Sequence, residues 1–157
     1  MKAVFECKSR FNCPVERLFQ FHEDRIGFET LVGLDPSVKV IQPPSSISEI
    51  GTQAILEVQI FPFIKKIWKA EHIGFEKNHK FIDIQREGPF QYFCHEHRFE
   101  SDGEYSVLTD HIEFDFFMNS VAKYFIFYKL KFQFLKRHEA TAHYLQTDFK
   151  NLFCGLI

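Results

Sequence analysis

No stretch of this 157-residue chain approaches the roughly 20 consecutive apolar residues that a membrane-spanning helix requires. Its densest apolar run, Tyr124 to Leu135, is broken by Lys129, Lys131 and Gln133. The opening MKAVFECKSRF lacks the apolar block and small-residue cleavage site of a signal peptide and already alternates like a strand. These absences predict a cytoplasmic protein without a transmembrane segment. A disulfide framework is missing too: Cys7, Cys13, Cys94 and Cys154 are scattered, with no CxxC, and read as reduced thiols. Charge of one sign is not in excess, 19 Lys and Arg standing against 21 Asp and Glu, which excludes a polyanion-binding tail. Basic residues on the strands alternate with acids, so no nucleic-acid partner is expected. A P-loop, a dinucleotide fingerprint, a nucleophile elbow and a Cys-His pair at recognisable spacing are all lacking, and no cofactor is predicted. Internal repeats are absent, and Pro43-Pro44-Ser45-Ser46 is too short to separate two units, so residues 1–157 read as a single domain.

What the chain does have is aromatic residues. Its 21 Phe, five Tyr and one Trp make 17% of the sequence. A globule of this size buries roughly 70% of its surface, enough for a substantial core, and rings must line it. Phe5, Cys7, Ser9 and Phe11 alternate with Glu6, Lys8 and Arg10, predicting a first strand over about Ala3 to Phe11. Pro14 suits a helix start; Val15, Leu18, Phe19 and His22 recur at helical spacing, and a second short helix ends near Gly33. Six further strands follow: Val38 to Ile41, Thr52 to Phe61, Lys66 to Phe75, Lys80 to Arg86, Gln91 to Glu100 and Ser106 to Phe116. Short connections make most of them an antiparallel meander. From Val121 to Phe153 apolar residues fall at Phe125, Tyr128, Phe132, Leu135, Ala142, Leu145, Phe149 and Leu152, predicting one long helix over the sheet. Tyr128 to Phe134 also alternates as a strand would.

Against that order of elements, WKAEH at Trp68 to His72, FIDIQREGPF at Phe81 to Phe90, HEHRF at His95 to Phe99 and LTDHIEF at Leu108 to Phe114 resemble the SRPBCC superfamily, also called START-like or birch-pollen-allergen-like. The resemblance covers essentially the whole chain and points to a bacterial cyclase/dehydrase-type or ligand-binding branch. It implies an α+β helix-grip fold: a seven-stranded curved antiparallel sheet wrapped around a long C-terminal helix, with two short helices after strand 1. The superfamily includes lipid carriers, ubiquinone-binding proteins, polyketide cyclases and plant hormone receptors. A cavity between sheet and helix is the implied site.

Strand alternation predicts which residues face it. Trp68, Ala70, His72 and Gly74 point inward from one strand, and Phe93, His95, His97 and Phe99 from another. Leu108, Asp110, Ile112 and Phe114 do so from a third. Treating the Glu76 to His79 turn as a regular hairpin sets Asp83 opposite His72 and Gln85 opposite Ala70. The Gly88 to Gln91 turn then sets Asp83 opposite His97, Gln85 opposite His95 and Phe81 opposite Phe99. The Asp102-Gly103 turn sets His97 opposite Asp110. One transverse row results: His72, Asp83, His97, Asp110, with neighbours close enough for carboxylate–imidazole hydrogen bonds. A carboxylate beside each ring raises its pKa unless burial wins.

Such a row supports three readings. It is a structural network that stiffens the sheet; it anchors the polar end of a small hydrophobic or lipid-like ligand; or His72 or His97, oriented by Asp83 or Asp110, acts as general acid–base in a cyclase/dehydrase-like reaction. Ligand binding, with Trp68, Phe81, Phe93, Phe99, Phe114 and Phe132 as the apolar lining and His72, Asp83, Gln85, His95, His97 and Asp110 as the polar anchor, is the expected function. An interior filled by rings makes the chain an interaction protein instead. No metal is expected: His95 and His97 with Asp83 and Asp110 have ligand-like composition, but composition is not coordination. His138-Glu139-Ala140-Thr141-Ala142-His143 spaces its histidines five apart and does not form an HExxH site. Phe61-Pro62-Phe63-Ile64 and Phe116-Phe117-Met118 read as rim segments that gate the pocket, touch a membrane transiently or mediate dimerisation, with burial in the fold as the plainer alternative.

Overall fold

The computed structural model describes residues 2–116 and 120–157. Its elements run β1 (Ala3–Phe11), α1 (Val15–Glu23), α2 (Arg25–Val32), β2 (Val38–Gln42), β3 (Gln53–Phe61), β4 (Ile64–Glu76), β5 (Lys80–Glu87), β6 (Tyr92–Asp102), β7 (Tyr105–Asp115), α3 (Ser120–Leu145) and β8 (Phe149–Leu156). One antiparallel sheet holds all eight strands in the order β2-β3-β4-β5-β6-β7-β1-β8. The helix-grip arrangement predicted from the sequence is present, with one strand more than expected. Among the described residues no helix is long and apolar enough to cross a membrane.

The extra strand corrects the predicted end of the helix. Phe149 and Leu152 fit a helical stripe, but the helix stops at Leu145. Gln146 adopts a left-handed φ of 50°, and the Thr147 hydroxyl donates to the Asn12 carbonyl at 2.6 Å. The chain then pairs with β1, whose edge would otherwise expose unmet backbone groups. Phe149 stacks on Phe11 at 5.8 Å.

The phase of α3 also differs from expectation. Its buried face is Leu130, Phe134, His138, Thr141, Ala142 and Leu145. Phe132, expected in the lining, is 62% exposed on the opposite face, as are Phe125 and Tyr128 nearby. Apolar side chains occur all round this helix, so periodicity alone could not choose the inward side.

Two ring clusters fill the space under the helices. One joins Phe11, Phe19, Phe81, Phe99 and Leu108 to α1 and the end of α3; the other joins Phe5, Phe93, Ile112 and Phe114 to Leu130 and Phe134. Phe19 is fully buried and meets Phe99 edge-on at 4.9 Å, with Phe75 and Phe81 on its other sides. Gly27 is required where α1 turns into α2, since a Cβ there would lie 1.8 Å from the Phe21 carbonyl oxygen.

Equilibrium urea unfolding checks this assignment of faces. Phe19→Ala is expected to cost about 3 to 5 kcal/mol, whereas Phe132→Ala should stay within about 0.5 kcal/mol of the parent. Similar losses for both would contradict the helix phase.

Candidate functional site

The three hairpins that carry the inner polar residues do not share one register rule. Across β6 and β7, His97 pairs with Asp110 and Phe99 with Leu108, as the tight Asp102-Gly103 turn predicts, Gly103 taking a φ of 66°. Across β4 and β5, His72 pairs with Asp83 and Ala70 with Gln85, also as predicted, but only because a bulge at Ile73 shifts the ladder. The bulge brings Phe75 rather than Gly74 to the inner side, where it packs on Phe19. A Cβ on Gly74 would meet the Ile82 side chain at 3.0 Å.

Across β5 and β6 the register differs from the predicted one by two residues. Asp83 pairs with His95, and Phe81 with His97. The cause is Gln85. Its side-chain amide donates to the Phe90 carbonyl at 2.8 Å and accepts from the Phe90 amide at 3.3 Å, imitating a strand partner and widening the loop. Gln85, expected as a ligand anchor, thus spends its polar atoms on bracing this loop. The single row His72, Asp83, His97, Asp110 is replaced by two: His72, Asp83, His95, and below it Phe81, His97, Asp110.

A two-residue shift keeps every side chain on its face, and diagonal neighbours remain in reach. The groups therefore still meet. Asp110 Oδ1 accepts from His95 Nε2 at 2.8 Å, and Asp110 Oδ2 from His138 Nε2 at 2.7 Å. His97 Nδ1 lies 3.0 Å from Asp110 Oδ1, an ion-pair approach without hydrogen-bond alignment, while His97 Nε2 donates to Asp83 Oδ2 at 3.2 Å. His138 Nδ1 meets the Ser9 hydroxyl at 2.7 Å, and Asn151 donates to the same hydroxyl. His97 is sandwiched between Phe81, stacked at 3.9 Å, and His95 at 3.7 Å.

His138 is the member that sequence reasoning set aside. Its six-residue segment forms no zinc helix, yet the ring points inward and joins α3 to the sheet. The signal was present in the sequence as Leu130, Phe134 and His138 at four-residue spacing. His72 stands apart: it is 7% exposed, and its Nδ1 has no partner among the described residues.

Burial and pairing pull these groups in opposite directions. For His97 burial works to lower the pKa, but the close approach of the Asp110 and Asp83 carboxylates overcomes it and raises the ring. For His95 and His72 burial wins and lowers them, despite the carboxylates beside them. The expected elevation thus holds for one ring of three. Burial also pushes toward neutral carboxyls, yet the surrounding rings of His138, His95 and His97 hold Asp110 well below the usual range, and His97 lowers Asp83.

The remaining expected lining residues divide between the two clusters. Trp68 packs edge-on against Phe93 at 4.9 Å and Phe90 at 5.6 Å, with Phe114 beside Phe90. Phe81 and Phe99 belong to the α1 cluster instead. Helix α3 packs on β8, β1, α2 and α1. The inner faces of β4 and β5 at Trp68, Ala70, Asp83 and Gln85 are half-buried. Two cavities lie elsewhere: an open surface groove of about 490 Å³ along Asn12, His143 and Asp148, and one of about 30 Å³ beside His22 and Ile47. Of the rim segments, Phe63 is fully exposed and Ile64 half-exposed, while Phe116 packs on Phe90 at 5.3 Å; Phe117 and Met118 lie outside the described residues.

Replacing Asp110 with Asn leaves three imidazoles around a neutral amide. Stability is expected to fall by about 3 kcal/mol or more, and the His97 ring, followed by NMR, should titrate at lower pH than in the parent. A separate outcome concerns acid. Burial lowers His22 to about 4 and depresses His72 and His95, so below the ordinary value of about 6.5 the unfolded chain binds more protons. His97 works the other way, its contribution being present below that value and lost as pH rises through its raised pKa. Urea unfolding should show stability falling from pH 6.5 toward pH 4, with His22 contributing on the order of 3 kcal/mol. His22→Gln should flatten that slope, and an unchanged slope would refute the assignment.

No protein-family model and no curated protein sequence matches the chain. Solved structures do. Ara h 8.0201 superposes with a TM-score of 0.65 at 13% identity, covering 93% of this chain and 99% of that one. An HSP90 activator from Plasmodium falciparum gives 0.65 at 15% identity over 94% and 99%. Norcoclaurine synthase from Thalictrum flavum, solved with dopamine and hydroxybenzaldehyde, gives 0.55 at 14% identity over 73% and 69%. The eight-stranded sheet, the two early helices and the long helix gripped against them are thus the helix-grip fold that these solved structures share.

Proposed function

We propose that the chain binds a small hydrophobic or lipid-like molecule in the trough between the β4–β5 side of the sheet and the early turns of α3, acting as one domain in the cytoplasm. The observation that carries this reading is the buried Nδ1 of His72, unpartnered among the described residues beside a half-buried aromatic wall. An unmet buried polar atom costs about 1 to 3 kcal/mol, and a ligand hydroxyl or carbonyl reaching it would remove that cost. Trp68, Phe90, Ile126 and Phe127 supply the apolar contact, and His97, set between two carboxylates, supplies a second polar anchor. Norcoclaurine synthase lends support as a protein of this fold solved with two aromatic molecules. Four free cysteines agree with a reducing compartment.

A second reading, acid–base catalysis in a cyclase- or dehydrase-like reaction, is favoured by one feature. His97 sits between Asp83 and Asp110 with its own side chain 14% exposed, so a proton on it is oriented and reachable.

Trp68 is the only tryptophan and lies in the proposed wall, so its fluorescence reports occupancy directly. Titration with a medium-chain fatty alcohol should shift its emission saturably, and mass spectrometry of denatured protein should release a co-purified apolar compound. His72→Phe should weaken retention about tenfold while keeping the fold by circular dichroism. Under the catalytic reading, His97→Gln would retain the molecule and lose its conversion. An unresponsive Trp68 together with no released compound would leave a ring-filled interaction protein.

A further inference from the structure

We propose that Asp83, His95 and His97 form a binding site for a divalent transition-metal ion of the zinc or cobalt type, oriented by Asp110. One ligand atom from each of the three residues lies within 4.8 Å of the others. Asp83 Oδ2 and His97 Nε2 are already 3.2 Å apart. Two donors on a tetrahedral ion, each at about 2.0 to 2.1 Å, stand roughly 3.3 Å apart, so this pair needs little movement to chelate. An imidazole and carboxylate set without thiolate suits zinc, cobalt or iron, and three protein ligands leave a position open.

Asp110 provides the outer support that metal-bound histidines use. It faces Nε2 of His95 and Nδ1 of His97, which leaves the other nitrogen of each ring for an ion, and its second oxygen is tied to His138. This is the carboxylate–histidine–metal arrangement, built twice on one carboxylate. His138 and Ser9 in turn fix that carboxylate from α3 and β1. The strands supply a rigid base, because His95 and His97 project from one face of β6 and Asp83 from the neighbouring strand.

A second observation points the same way. His72 lies directly across the β4–β5 ladder from Asp83, is 93% buried by its 7% exposure, and has an Nδ1 with no partner among the described residues. A water on an ion at the three-residue site gives that nitrogen a partner, as an alternative to the ligand group proposed above. Binding replaces the proton now shared between His97 Nε2 and Asp83 Oδ2, so one proton leaves as the dication enters and no other reactant is involved. Metal binding does not require the apolar molecule proposed above, and either can fail alone.

Full-length protein stripped with a chelator is titrated with Co²⁺ and Zn²⁺ alone, by calorimetry and visible absorption. One ion per chain is expected, with the visible ligand-field bands of low-coordinate Co²⁺. Asp83→Asn should abolish them, as should His97→Gln, and Asp110→Asn should weaken binding about 10- to 100-fold. His79→Gln, on an exposed turn, should change nothing. Thermal melts confirm that each variant is folded; if His97→Gln is not, Asp83→Asn decides. No saturable binding to the parent, or binding retained in folded Asp83→Asn, overturns the proposal. Repeating the Trp68 titration on stripped protein separates this outcome from that of the ligand reading.

Discussion

The interior depends on one buried carboxylate. Asp110 is 3% exposed, and its ionised form survives there only because imidazoles from β6 and α3 surround it. An uncompensated charge at that depth would be prohibitively costly, so the three histidines are a condition of folding rather than an ornament of the site. Through His138 the same carboxylate locks the long helix onto the sheet. Aromatic burial drives the two together, but rings pack in many orientations, and a directional polar bond selects one.

That constraint shapes what the cavity can do. The helix packs on β1 and β8 and is tied to Asp110 of β7 through His138. On the other side Trp68 and Phe90 pack edge-on together. His97 feels the charge of two carboxylates, while burial lowers the pKa of His95, two residues along β6, and of His72 on β4. Closely spaced imidazoles with opposite protonation preferences are a resource for binding polar groups or ions, and they arise here from sheet geometry alone.

Legibility in the sequence followed the kind of turn involved. The β6–β7 register was readable because Asp102-Gly103 is a tight turn that only one pairing satisfies. The β5–β6 register was not, because a side chain, Gln85, took over a role that pairing rules assign to backbone. The bulge at Ile73 left the His72–Asp83 pair where a regular hairpin would put it, so a correct partner came from an incomplete rule. His138 was discounted for failing a metal motif, although its four-residue spacing puts it on the same helix face as Phe134.

Alternation and helical spacing in the sequence by themselves determined the order of the elements up to the long helix and most of the inward-facing strand residues, since these follow from local periodicity and short connections. Tertiary structure alone decided the two-residue offset between β5 and β6, the rotation of α3 that exposes Phe132, and the strand made from Phe149 to Leu156. In each case local preference was evenly balanced: a two-residue slip preserves every face, an all-apolar helix has no preferred side, and a short amphipathic tail suits either conformation. The deciding energies came from contacts that periodicity does not encode, namely those of the Asp110 carboxylate, the Gln85 amide and the open edge of β1.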